Sequence, residues 1–167
     1  MLAVYKVKWN HYHPHTFISA SADWTVRIWD STYPNTQVML FDLGMIVVDA
    51  TWAPYSSTVF SCATLDQVFI YDVNIEKHSS LAQRKPVKNP KLTNVCFNET
   101  DPILLVGDTY GGVTVLKISP NLLKRGPPKK EVDNPKNQPP PPTEAEIVEF
   151  ERKKMDDLIL LVSKWGR

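Results

Sequence analysis

Residues Val4 to Asp30 read VYKVKWNHYHPHTFISASADWTVRIWD, and Val47 to Asp72 read VVDATWAPYSSTVFSCATLDQVFIYD. The two stretches are one pattern written twice, with Trp9 matching Trp52 and Trp29–Asp30 matching Tyr71–Asp72. A third, weaker copy runs from Leu92 to Ile118 (LTNVCFNETDPILLVGDTYGGVTVLKI), with Phe97 in the first aromatic slot. Trp52 follows Trp9 by 43 residues, and Phe97 follows Trp52 by 45. Inside each copy, Val, Ile, Thr and aromatic residues form short alternating runs, and Asn, His, Pro, Ser and Asp separate them. Such alternation between turn-forming clusters marks strands. In the first copy the strands are AVYKVKW, Thr16–Ser21 and Thr25–Trp29, with Gln37–Asp42 as a fourth, outer strand. Its counterpart around Ser79–Val87 carries Pro86, which a sheet tolerates mainly at its edge.

A period of roughly 40–45 residues, closed by an aromatic–Asp pair, resembles the blades of WD40 propellers. The expected fold class is all-β: a partial WD40 β-propeller of about three four-stranded antiparallel blades, then a Pro-rich linker and one C-terminal α-helix. The predicted domains are 1–118 for the blades, 119–142 for the linker and 143–165 for an amphipathic helix. Closed propellers take about four to eight blades. Met1 also falls at the start of an inner strand, so the chain is expected to be the C-terminal part of a propeller. One inner blade face and one strand edge would then lie uncovered.

Nineteen basic residues against eighteen acidic give a net charge of +1, and 43% of the chain is hydrophobic. That balance lacks the basic excess of a nucleic-acid or membrane surface, so neither is an expected partner. No apolar run approaches the roughly 20 residues of a membrane span. Cys62 and Cys96 each sit in strand-like apolar surroundings and are expected to be reduced, buried thiols. Ser119–Pro142 holds eight of the fourteen prolines along with Lys124, Arg125, Lys129 and Lys130. It predicts an extended, polyproline-like spacer. Thr143-Glu-Ala-Glu146 is a capping-box start for the helix that follows. At about 100° per residue, Ile147, Met155, Leu158, Leu161, Val162 and Trp165 share one face, with Phe150 and Val148 at its edges. That stripe packs either on a blade of this chain or on another subunit, because a helix this short needs a partner.

Few residues are candidates for chemistry. Ser19 or Ser21, Asp23 and Trp29 are expected to form the internal hydrogen-bond chain of the first blade, since a buried indole N–H needs an acceptor. Asp66 repeats the turn position of Asp23, and the phenol of Tyr71 is expected to stand in for the indole. Asp108 with Gly111–Gly112 marks the third turn, where the network should be absent. These roles are structural. His11, His13 and His15 could share a face, but Pro14 breaks the extended geometry and no Cys completes a metal set. They are expected to form a polar surface turn. Cys62 has no cationic neighbour to activate it. Gly107–Gly112 lacks the Lys-Ser/Thr of a phosphate loop. No catalytic, cofactor-binding or metal-ligating residue is expected, and no cofactor.

WAPYSSTVF (Trp52–Phe60), SADWTVRIWD (Ser21–Asp30) and VGDTYGGVTVLKISPNLLK (Val106–Lys124) together resemble the propeller of dynein intermediate chains. The SPNLLK ending, followed by a basic linker and a short helix, is most similar to the axonemal outer-arm type. The resemblance implies a non-catalytic scaffold subunit of a ciliary motor. Its partners would be the dynein heavy-chain tail and the other intermediate chain. Light chains bind family segments that precede the propeller, and these are expected to be missing here. The axoneme of a cilium or flagellum is the implied location. The alternatives are a WD40 adaptor in another assembly or a cytoplasmic dynein intermediate chain. An enzyme is the weakest reading, because the sequence supplies no nucleophile–base pair.

Overall fold

The computed structural model describes residues 2–33, 36–123 and 143–165. Each repeat folds into its own antiparallel sheet. The first comprises β1 (Val4–Trp9), β2 (Thr16–Ser21), β3 (Thr25–Asp30) and β4 (Gln37–Asp42), hydrogen-bonded in that order. The second comprises β5 (Val47–Trp52), β6 (Val59–Thr64), β7 (Val68–Asp72) and the short β8 (Ala82–Arg84). The third has β9 (Leu92–Phe97), β10 (Ile103–Asp108) and β11 (Val113–Lys117). The inner strands thus fall where the repeat spacing put them.

The third sheet departs from the expected four strands. Among the described residues nothing pairs along the free edge of β11. After Ile118 the chain enters a one-turn 3-10 helix at Pro120–Leu122, and Pro120 has no N–H to offer a ladder. Of the expected spacer, 119–142, the described start holds this turn rather than an extended run, and residues 124–142 lie outside the described residues. Helix α1 spans Glu144–Trp165. Its capping box forms as the sequence predicts: the Glu146 carboxylate accepts the Thr143 N–H at 2.7 Å, and the Thr143 hydroxyl accepts the Glu146 N–H at 3.4 Å.

Every inner strand carries one extra residue at the same place. The register slips between Val4 and Lys6, between Val47 and Asp49, and opposite Gly107–Asp108 in the third sheet. A bulge bends the strand and re-aims the next side chain. Here it turns Asp49 between the sheets, where its carboxylate accepts the N–H of Val95 in β9 at 3.0 Å and pairs with Lys6 of β1 at 3.5 Å. One side chain of the middle sheet therefore ties down both neighbours.

Two apolar cores fill the gaps between sheets. The first holds Ile18, Val26, Ile28, Met39 and Phe41 from sheet one, with Trp52, Phe60, Tyr71 and Val73 from sheet two. The second joins Val68 and Ile70 to Leu92, Val95, Leu104, Val106 and Ile118. Each fully buried large apolar side chain contributes about 1.5–3 kcal/mol. Polar stitches close the first gap: the Trp52 indole N–H donates to the Lys8 carbonyl at 3.2 Å, and the Asn10 amide donates to the Ser57 carbonyl at 2.8 Å.

Candidate functional site

The candidate site is the surface of the sheets, so what matters is which faces they cover and which they leave open. In sheet one the indole N–H of Trp29 donates to the Ser19 hydroxyl at 2.9 Å, which settles the choice between Ser19 and Ser21. Asp23 is not part of that chain. Its carboxylate accepts the N–H and hydroxyl of Thr25 at 3.1 and 2.6 Å and pairs with Arg27 at 2.8 Å. Ser21 instead accepts the Asp23 N–H at 3.2 Å and donates to the Ala3 carbonyl. Desolvation pushes the Asp23 pKa up, but the Thr25 and Ser21 hydrogen bonds and the Arg27 charge outweigh it and hold the carboxyl below its ordinary value. The expected single network is thus two separate ones. The reason is distance along the hairpin: Ser19 lies in mid-strand beside the indole, whereas Asp23 sits in the turn with its own partners.

In sheet two the expected phenol substitute does not form. Cys62 stands at the position of Ser19 and brings no hydroxyl to the aromatic slot. Tyr71 stacks on Phe60 instead, with ring centroids 4.9 Å apart and planes within 9°. Burial, followed by the neighbouring Cys62, pushes the Tyr71 pKa upward. Asp66 pairs with Lys85 at 3.3 Å, so the turn position is repeated but its partners are not. In the third turn Asp108 accepts the N–H groups of Tyr110 and Gly112 at 2.8 and 3.0 Å. Gly111 there has φ +82°, a left-handed conformation that favours glycine.

The aromatic slots reveal which face is covered. Trp52, Phe60 and Tyr71 correspond in register to Trp9, Phe17 and Trp29. Trp52 is 1% exposed, because Phe41 of β4 packs over its group, 5.3 Å from Phe60 and 4.9 Å from Tyr71. Trp9 is 54% exposed, and Trp29 is only half-buried, stacked on Phe17 at 6.2 Å. Trp29 therefore does not face a neighbouring sheet as a buried core residue. With Val4 and Val7, also exposed, this side of β1 forms an open apolar face.

Helix α1 docks on the sheets of this chain. Met155 and Leu158 enter the first core, and Ile159 and Val162 pack at its edge beside Val38 of β4. Ile147 and Phe150 are half-buried, while Leu161 is 40% exposed and Val148 also faces outward. The buried stripe is thus rotated from the one drawn by hydrophobicity, and Leu161 lies outside it. Trp165 is the last helical residue, and its side chain lies outside the described part.

The rotation has a polar cause. Glu151, 0% exposed, is the anchor. One oxygen of its carboxylate accepts the Ser57 N–H at 2.7 Å, the Ser57 hydroxyl at 2.9 Å and the Ser56 hydroxyl at 3.3 Å, and pairs with Lys154 at 2.6 Å. Asp156 reaches the buried His13, whose Nε2 lies 2.9 Å away, while Nδ1 lies 2.6 Å from the Thr16 hydroxyl. His13 is therefore an interior link to α1 rather than part of a surface turn. Sequence reading passed over Glu151 and placed His13 at the surface. A Glu four before Met155 reads as solvated, and the Ser56–Ser57 pair that grips it is ninety-four residues away.

Cys62 is buried, and burial pushes its thiol pKa up, which suits an inert side chain. Cys96 is exposed, contrary to expectation, because it sits on the outward side of β9. Both thiols are free. Among the described residues no group of three or more His, Cys, Asp or Glu could hold a metal ion. No described helix is long and apolar enough to cross a membrane.

No family model matches the chain. It is 49% identical over 164 residues to "Dynein intermediate chain 2, ciliary" of Heliocidaris crassispina, covering 96% of this chain and 22% of the relative. A match of that extent takes in most of α1 as well as the three sheets. Identity is 43% over 131 residues to the 78 kDa intermediate chain of the Chlamydomonas reinhardtii flagellar outer arm, covering 77% of this chain and 19% of the relative. It is 46% over 132 residues to bovine "Dynein axonemal intermediate chain 1", with the same 77% and 19% coverage. The chain spans about a fifth of the length of these relatives. Among solved structures, the C-terminal WD40 domain of Sif2 aligns with TM-score 0.59 at 19% identity, over 70% of this chain and 34% of that one. The WD40 domain of Toxoplasma gondii coronin aligns equally, at 17% identity over 69% and 31%. Over nearly its whole length, then, the chain belongs with the dynein intermediate chains, as a segment of WD40 fold.

Proposed function

We propose that this chain is a scaffold segment of an axonemal outer-arm dynein, working in the cilium or flagellum rather than catalysing a reaction. The observation that carries this reading is the 49% identity to a ciliary intermediate chain, which runs through the sheets and most of α1. The expected partners are the heavy-chain tail and the second intermediate chain. Three sheets tied by Asp49 and Trp52 give a rigid platform, and a rigid platform holds a partner without a large ordering cost. The open face of β1 exposes Trp9, Val7 and Val4 together, and a contiguous exposed apolar face is the kind of surface partners cover.

The test is co-sedimentation. Tagged chain expressed in ciliated cells should enter the outer-arm dynein peak of a high-salt axonemal extract on a sucrose gradient. Its appearance only with cytoplasmic dynein, or only as free protein, would remove the axonemal reading.

A further inference from the structure

The second inter-sheet groove repeats the geometry of the one that α1 covers, yet no described helix covers it. Ile70 pairs with Ala82 as Ile28 pairs with Met39, and Leu104 pairs with Leu116 as Phe60 pairs with Tyr71. The N–H of Ile118 donates to Pro102 as that of Val73 donates to Thr58. In the first groove, Met39, Phe60, Tyr71 and Val73 share a core with Met155 and Leu158 of α1. At the equivalent positions of the second, Ala82, Leu104, Leu116 and Ile118 line a cavity of about 490 Å³, closed on one side by Leu122. The vacancy follows from side-chain size: Ala replaces Met, and Leu replaces Phe and Tyr.

The rim differs in charge as well. Arg84 stands where Phe41 stands in the first groove, and Lys117 lines it from the open edge of β11, both exposed. Neither makes an ion pair among the described residues, and the residues lining this groove include no acid. We infer that this groove receives an amphipathic helix from another polypeptide, with its apolar stripe on Ala82, Leu116 and Ile118 and its carboxylates toward Arg84 and Lys117. A second copy of α1 fits poorly. Its anchor, Glu151, is gripped by Ser57, and the register places Asp101 at that point of the second groove. Carboxylate would then meet carboxylate. The apolar face of α1 is, moreover, already committed within its own chain.

The experiment titrates the full chain with two synthetic 18-residue helical peptides, alike in a Leu stripe but flanked by Glu in one and by Lys in the other. Backbone amide shifts locate binding, and fluorescence anisotropy measures it. The Glu peptide should shift the amides of Ala82, Leu116 and Ile118, leave α1 unmoved, and bind about tenfold more tightly than the Lys peptide. Arg84→Glu with Lys117→Glu should invert that preference, and Ala82→Trp, which fills the cavity, should abolish binding. Both cations are exposed, so the double variant should keep the circular dichroism of the parent. Equal binding of the two peptides, no binding of either, or shifts confined to β1 or α1 would overturn the inference.

Discussion

Replacing Glu151 with Ala should open α1 while leaving the sheets folded. The carboxylate is fully buried, and one of its oxygens serves Ser57, Ser56 and Lys154 together. Removing one partner of a buried ion pair costs about 3–5 kcal/mol, because the other charge is left without compensation. Here that charge is Lys154, whose side chain is mostly buried. The apolar hold on the helix comes mainly from Met155 and Leu158, at about 1.5–3 kcal/mol each. The two magnitudes are similar, so losing the anchor removes about half of the docking free energy. An undocked α1 loses the tertiary packing that supplies most of a helix's stability, so undocking becomes fraying. Hydrogen exchange read by mass spectrometry should show protection of the α1 amides falling about a hundredfold to a thousandfold, since each 1.4 kcal/mol is a factor of ten. Amides of β5 and β6 should be unchanged. Glu151→Ala with Lys154→Ala should recover part of the loss, because the stranded ammonium has gone too. If α1 protection in Glu151→Ala equals that of the parent, the buried carboxylate is not the anchor.

Trp52→Ala should destabilise the sheets by ~3–5 kcal/mol in urea denaturation, and Trp29→Ala by roughly half as much, because only Trp52 is fully enclosed; equal losses would contradict the difference in burial. The folded pKa of Asp23 lies below its unfolded value, so the group stabilises at neutral pH, and that contribution fades as pH falls through the depressed value. Asp23→Asn should therefore flatten the acid limb of stability against pH, and an unaltered slope would count against the Thr25–Arg27 cluster. A Cβ at Gly112 would lie 2.5 Å from the Asp108 carboxylate, so Gly112→Ala should push that side chain off the Tyr110 and Gly112 N–H groups and destabilise the third turn by ~1 kcal/mol. Asp108→Ala in the same chain should erase that penalty, as thermal melts would show.

The repeat carried most of the fold. Period-two alternation and turn chemistry are local properties, so strands such as Thr16–Ser21 and Gln37–Asp42 could be read from composition alone. The capping box at Thr143–Glu146 was legible for the same reason. What escaped was set by contacts distant in sequence. Glu151 looks like a solvated helix residue until Ser57 is folded against it, and His13 looks like a turn residue until Asp156 arrives. A hydrophobic wheel weighs Leu161 above Glu151, yet the groove selects the reverse, because four donors in one socket outweigh a Leu that can remain half in water.

Trp29 and Tyr71 occupy one slot of one repeat, and their different fates show how far a repeat can be trusted. Local pattern places each ring over the phenylalanine of the preceding strand, Phe17 in one sheet and Phe60 in the other. Enclosure comes from elsewhere: Phe41 of the previous sheet covers Tyr71, and no described side chain performs that office for Trp29. The hydrogen bond follows from the slot's own residues. The indole keeps its link to Ser19 within the strand pair, whereas Cys62 takes that place beside Tyr71, which gains its stability from ring contacts on both sides. Sequence similarity between repeats therefore predicts where a side chain points, and the order of the sheets decides what it touches. By that logic the face of β1 is the position in this assembly where covering by another sheet or subunit would gain most, since burying Trp9 and Val7 there would add about 1.5–3 kcal/mol for each.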